Sequence, residues 1–211
     1  MAGKIKNILL DLGGVLIDID YNKPINAFNA LGILHFEEMF SQVTANKLFE
    51  DLETGQITDE VFYETIKQLC PTSLTNQQIK TAWNSILLDF RPKSIAYLQT
   101  LMQQYNVYLL SNTNSIHQTA FQQLFTQKYN GKHLSNCFTK AYYSNNIHLR
   151  KPHLTIYEFV LHDAGINAAE TLFIDDSAIN IPPAQTVGMH THLLLSHQTI
   201  EEVIPLMVAA I

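Results

Sequence analysis

A chain of 211 residues, 46% hydrophobic and 15% charged, can bury a large core as one domain or as a domain with a sizeable insertion. Its net charge of −6 offers no electrostatic footprint for nucleic acid or an anionic membrane, although a local site can still hold a small phosphorylated molecule. The two cysteines, Cys70 and Cys137, form no CxxC pair, which argues against structural zinc. With no disulfide framework and no signal-peptide pattern, a cytoplasmic location is expected.

The first predicted element is a strand over 4–10, an apolar run that ends on Asp11. Gly13 and Gly14 follow at once and let the backbone turn sharply beside a ligand. Residues 12–21 read as a loop carrying Asp18 and Asp20. From 22 to 88 the pattern is helical, with no convincing strand. Ala27, Phe28, Leu31 and Leu34 share one helical face, and Val61, Phe62, Thr65, Ile66 and Leu69 another. Thr58-Asp59-Glu60 has the form of a helix start, Pro71 of a stop, and 75–88 offers a further helix. The phenylalanines and tyrosines of 28–63, with Trp83, are expected to be core.

Arg91-Pro92 marks the return to alternating elements. A helix over 93–105 turns Ile95, Leu98, Leu101 and Met102 inward, and a strand over 106–110 ends at Ser111-Asn112. A helix over 115–127, a strand over 137–143 and a helix over 153–164 follow, with Pro152 suited to the first turn of the latter. A strand over 172–174 ends in Asp175-Asp176. A helix over 178–186 contains Pro182-Pro183, so it is short or starts late, and Gly188 fits its C-terminal cap. A strand over 190–195 and a helix from 199 complete the chain; the run 203–211 is too short to span a bilayer and reads as a buried helix face. This alternation predicts an α/β fold, a doubly wound parallel sheet with helices on both faces.

In such a sheet the strand ends lie along one edge. Asp11, Ser111-Asn112 and Asp175-Asp176 are therefore expected to meet there, joined by Lys151 from a helix start. These four stretches resemble the four motifs of haloacid dehalogenase-like (HAD) hydrolases: Asp11-Leu12-Gly13-Gly14-Val15 the nucleophile motif, Ser111 the second, Lys151 the third, Asp175-Asp176 the acidic fourth. Asp18-Ile19-Asp20, Ser111 to Asn114 and Arg150-Lys151-Pro152 look closest to the bacterial α-D-glucose-1-phosphate phosphatase branch. The resemblance implies a core domain of 1–18 and 90–211, with a small helical cap over 19–89 inserted after the first strand.

It also implies a Mg²⁺-dependent phosphatase acting on a small phosphorylated metabolite, without nucleic acid or membrane, as a monomer or homodimer. Asp11 would be the nucleophile. Asp11, Asp176 and the Gly13 carbonyl would hold Mg²⁺, while Ser111, Asn112 and Lys151 would bind phosphate. Asp175 would stand behind them, orienting Lys151 or metal-bound water. Phosphatases of this family usually carry a second aspartate, a general acid and base, where this chain has Gly13. That loss hurts least when the leaving group is already acidic, as an anomeric hydroxyl is. Two alternatives stay open, a haloacid dehalogenase and a phosphate-binding module without turnover. Lesser candidates are His117, His148, Arg150 and Asn180, the last for a metal-bound water.

Overall fold

The computed structural model describes residues 4–40, 47–70 and 72–211. Strand β1 (Asn7–Leu10) is followed by β2 (Ile17–Ile19) and four helices, α1 (Asn22–Ala30), α2 (Lys47–Glu53), α3 (Asp59–Gln68) and α4 (Asn76–Asn84). Then come β3 (Leu87–Phe90), α5 (Pro92–Leu101), β4 (Asn106–Ser111), α6 (Ser115–Lys128), β5 (Lys140–Tyr143) and the single turn α7 (Ser144–Ile147). Helix α8 (Leu154–Ala164), β6 (Thr171–Asp175), α9 (Ile181–Thr186), β7 (His190–Leu193) and α10 (Ile200–Ala210) complete the chain.

Five strands run parallel in the order β5-β4-β1-β6-β7. Because β1 is central, its side chains are buried on both faces, which is why it reads as an unbroken apolar run. Ile8 and Leu10 join Leu98 of α5, Phe121 and Phe125 of α6, and Val203 and Ile204 of α10. Leu9 joins Tyr157 and Val160 of α8 and Ala184 of α9 on the other face. The sheet is thus doubly wound, and β1, β4 and β6 stand side by side with their carboxyl ends together.

Helices α1 to α4 enclose a separate apolar cluster built on Phe28, Phe36, Phe40, Phe49, Phe62 and Trp83. Its rings touch directly: Phe28 stacks on Phe36 with centroids 4.2 Å apart, and Phe49 on Trp83 at 5.2 Å. Such pairs contribute about 0.5–1.5 kcal/mol each beyond the area they bury. Thr58 caps α3 as its sequence indicates, accepting from Val61 N–H.

Several expectations change. Residues 17–19, read as loop, and 87–90, the first two of them read as the end of a helix, pair as the antiparallel strands β2 and β3, with Ile17 opposite Phe90 and Ile19 opposite Leu87. Runs this short hold too little alternation to declare themselves, and their partners lie far apart in sequence. Arg91 Nε donates to Asp18 at 2.7 Å and fastens this ladder where the chain leaves and re-enters the core. Strand β1 is shorter than the apolar run. Helix α5 stops at Leu101, which leaves Met102 41% exposed, and Leu34 lies beyond the end of α1 and is exposed. Pro152 follows a cis peptide bond and precedes α8, whose N-cap is the extended His153. Pro182 and Pro183 occupy the first turn of α9, so that helix starts late. The expected stop at Pro71 lies outside the described residues. No helix among the described residues is long and apolar enough to cross a membrane.

Candidate active site

The turn after β1 is held from several sides. Asp11 N–H donates to Ile174 O at 2.9 Å, and the N–H groups of Leu16 and Ile17 both return to Leu12 O, at 2.8 and 3.0 Å. Gly14 adopts φ +66°, and a Cβ there would overlap the Asp176 carboxylate. Glycine both permits that conformation and lets the two strand-end loops meet.

Lys151 stands at the centre, 1% exposed. Its ammonium donates to Asp11 Oδ1 at 2.7 Å, Asp175 Oδ2 at 2.6 Å and Leu110 O at 3.0 Å, three acceptors for three N–H bonds. Its backbone is fixed too: Lys151 N–H donates to Asn112 Oδ1 at 2.9 Å, and Asn112 Nδ2 donates to Lys151 O at 2.8 Å. The Asn112 side chain, expected at the phosphate, is therefore committed to placing Lys151. Asp175 Oδ1 accepts from Ser177 N–H at 2.8 Å and Asn180 Nδ2 at 2.9 Å. Asn180, a candidate for a metal-bound water, braces Asp175 through its Nδ2 and lines the cavity. Ser111 Oγ makes one long contact, 3.4 Å to Asn112 O.

Oxygens of Asp11, Asp175 and Asp176 lie within 4.8 Å of one another. Burial pushes the Asp11 carboxyl up to about 8 against the pull of Lys151, with Asp175 and Asp176 adding to the rise. Burial and Asp175 lift Asp176 to about 6. For Lys151 burial works against the charge, but Asp11 and Asp175 outweigh it and hold the ammonium above the ordinary lysine range. Three carboxylates share one ammonium, so the cluster lacks positive charge. Its oxygen-only donors suit a hard cation.

A cavity of about 450 Å³ opens above this cluster. Asp11, Gly13, Ser111, Asn112, Lys151 and Asp176 are among the residues that line it, and Glu50 and Glu53 of α2, Tyr21, Trp83, His117 and Arg150 contribute further wall.

Residues 5–188 match the model of the haloacid dehalogenase-like hydrolases. The chain belongs to that family. It is 33% identical over 188 residues to a D-ribitol-5-phosphate phosphatase of Bacteroides thetaiotaomicron, covering 89% of this chain and 90% of that one. Among solved structures it resembles a HAD family enzyme of the same organism, crystallised with magnesium and inorganic phosphate. The TM-score is 0.87 at 36% identity, over 95% of this chain and 99% of the other. A predicted HAD-like hydrolase from Porphyromonas gingivalis matches with TM-score 0.87 at 32% identity, over 97% and 98% of the two chains.

In this HAD hydrolase the lesser candidates sort by their partners. Asp18 pairs with Arg91, and Asp20 accepts from Asn22 N–H at 2.9 Å; neither lines the cavity. His148 Nδ1 lies 2.8 Å from Thr54 O on the surface. His117 lines the cavity, stacked on Trp83 with centroids 4.7 Å apart, and burial drives its pKa down to about 3. Its neutral ring donates from Nδ1 to Asn84 Oδ1 at 2.8 Å. Arg150 is not a free surface cation, for it pairs with Glu50 at 2.9 Å and Glu53 at 3.0 Å. No motif or spacing marks Glu50, Glu53 or Tyr21 as part of the site. They come from the helical insertion, and only the fold brings them over the sheet edge. Burial raises the Glu53 carboxyl despite Arg150, and burial with the charges of Asp176, Glu53 and Asp11 raises the Tyr21 phenol.

Proposed function

We propose that this hydrolase is a Mg²⁺-dependent phosphatase acting on a small phosphomonoester, a sugar or sugar-alcohol monophosphate, through an aspartyl-phosphate on Asp11. One observation carries the reading: a strand-end carboxylate, Asp11, bonded to a buried lysine at 2.7 Å and crowded by Asp175 and Asp176 at the floor of a cavity. The relatives support it, one named as a phosphatase of a sugar-alcohol phosphate and one crystallised with magnesium and phosphate.

Asp11, Asp176 and the Gly13 carbonyl are the groups that would hold Mg²⁺. The excess negative charge behind the raised Asp11 and Asp176 fits a cation there. When bound, Mg²⁺ supplies positive charge to the phosphoryl oxygens. The Asp11 carboxylate attacks phosphorus, the new O–P bond forms as the ester P–O bond breaks, and the alkoxide leaves to take a proton from a water molecule within the cavity. Water then attacks the aspartyl-phosphate, which releases inorganic phosphate and restores Asp11. Lys151 pulls the Asp11 carboxyl toward its ionised form, against the burial that raises it, and faces the transferring group. Ser111 Oγ donates to a phosphoryl oxygen. Asn112 and Asp175 position Lys151, one through its backbone and one through its ammonium. The core of 1–18 and 90–211 carries this chemistry, and the cap of 19–89 covers it and excludes bulk water.

Gly13 offers no carboxyl to protonate the leaving alkoxide. This favours an anomeric ester such as glucose 1-phosphate, whereas the relative's name points to the ester of a primary alcohol. The test is phosphate release from glucose 1-phosphate, D-ribitol 5-phosphate and other small phosphomonoesters, with Mg²⁺ and with chelator, by the wild type and Asp11→Asn. Metal-dependent release that Asp11→Asn abolishes is expected. Release that survives the substitution refutes the nucleophile. No release from any ester by protein that binds Mg²⁺ moves the reading to a phosphate-binding module.

A further inference from the structure

The cavity carries two kinds of wall. Beside Asp11 and Lys151 it is built to meet a phosphate. Elsewhere, beside the Tyr21 phenol and the Trp83 indole, Glu50, Glu53 and His117 present acceptors. Among the described residues lining it, the only lysine or arginine side chains are Lys151 and Arg150, and each is already matched by two carboxylates. A substrate with a second anionic group would find no unpaired cation and would face Glu53 and Glu50. Arg150 approaches Glu53 twice, from Nε and from Nη2, and both contacts fall on Oε2 at 3.0 Å. Among the described residues Oε1 receives no bond. The side chains of Arg150 and Glu53 are 16% and 17% exposed, so this pair is a held structure rather than a loose surface contact.

His117 supplies an independent observation. It is 8% exposed and lines the cavity. Its Nδ1–H is committed to Asn84, and among the described residues Nε2 has no partner. A neutral imidazole fixed in that tautomer offers Nε2 only as an acceptor. Both walls thus present lone pairs, and the groups that satisfy lone pairs without adding charge are hydroxyls.

We infer that Glu53, held by Arg150, and His117 form the specificity end of the cavity, accepting hydrogen bonds from the hydroxyls of a neutral polyhydroxylated substrate and disfavouring a second anion. This rests on the phosphatase reading and names the part of the substrate distant from the phosphate. Glu53 and His117 discriminate among esters, while the bond-breaking chemistry belongs to Asp11.

The experiment compares kcat/KM of the Mg²⁺-loaded protein for four esters that share a five-carbon chain: D-ribitol 5-phosphate, its 1-deoxy and 2-deoxy analogues, and 5-phosphoribonate, in which a carboxylate replaces the terminal alcohol. A site built to bond a hydroxyl rejects an analogue lacking it strongly, so at least one deoxygenation should cost the wild type about tenfold or more. Glu53→Gln keeps the size and removes the charge. In that variant the same deoxygenation should cost under about threefold, and the preference for the polyol over 5-phosphoribonate should fall by about tenfold. A second variant, His117→Phe, should likewise bring a deoxygenation penalty of about tenfold down to under about threefold, and penalties unchanged from the wild type in both variants overturn the inference. If every ester falls by one common factor in Glu53→Gln, the residue only latches the cap and the inference is overturned. Equal turnover of polyol, deoxy analogues and acid by the wild type overturns it as well. No release from any ester defeats the phosphatase reading itself, and this inference with it.

Discussion

Asp175→Asn isolates the electrostatic part of the buried network, because asparagine keeps the shape of aspartate. Three donors point at the Asp175 carboxylate: Lys151 Nζ at 2.6 Å on Oδ2, and Ser177 N–H and Asn180 Nδ2 at 2.8 and 2.9 Å on Oδ1. Asparagine has one acceptor oxygen, so whichever way it is turned its NH₂ group faces at least one of those donors. The Lys151 ammonium also loses one of its two buried counter-charges. Removing one partner of a buried pair costs about 3–5 kcal/mol, with no discount for solvent because both side chains are buried. For a chain of this length each kcal/mol moves Tm by about 2–4 °C, so a fall of roughly 6–20 °C is expected. Thermal unfolding of both proteins in chelator, at pH 7, measures it. The difference should persist in about 1 M NaCl, where the Debye length of about 3 Å erases surface pairs but not this one. A variant that melts within about 2 °C of the wild type would show that Asp175 does not hold Lys151, and the account of the network would be wrong.

Three further outcomes follow from neighbouring geometry. Gly14→Ala places a methyl group against Asp176 in a left-handed conformation; it should cost about 1–2 kcal/mol by urea unfolding and weaken Mg²⁺ binding by calorimetry, and unchanged Mg²⁺ affinity would sever Gly14 from the metal site. His117, with its pKa lowered to about 3, binds its proton less well folded than unfolded, so its contribution is present above pH 6.5 and is lost as pH falls from there toward 3. Stability should decline with a slope approaching about 1.4 kcal/mol per pH unit from this one proton; His117→Gln should flatten the profile, and identical slopes would refute the assignment. Gly13→Asp should raise turnover most for esters of poor alkyl leaving groups. The new Cβ lies 3.0 Å from Ile19 Cδ1, a flexible end that must give way slightly, and an equal gain for all leaving groups would contradict a general-acid role.

Much of this site was legible because its parts sit at strand ends. Asp11, Ser111 and Asp175-Asp176 each close an apolar run, and a parallel sheet of this order brings such ends to one edge. Local chemistry likewise announced the start of α3 at Thr58 and the late start of α9 at its prolines. The strands β2 and β3 were hidden, since a few residues paired across a long insertion leave no periodic trace. Asn112 and Asn180 were visible as polar residues near the site, but which group each would bond is settled by side-chain packing.

The amino-acid sequence by itself determined the doubly wound α/β core and the residues that meet at its edge. Apolar periodicity and strand-end polarity are properties of neighbouring residues, and the rules of parallel sheets do the rest. Only the tertiary structure decided what faces the far wall of the cavity. Glu53 meets Arg150, and Trp83 meets His117, across long stretches of chain. Such pairings arise from how the helices of the insertion pack over the sheet, and no local pattern encodes them.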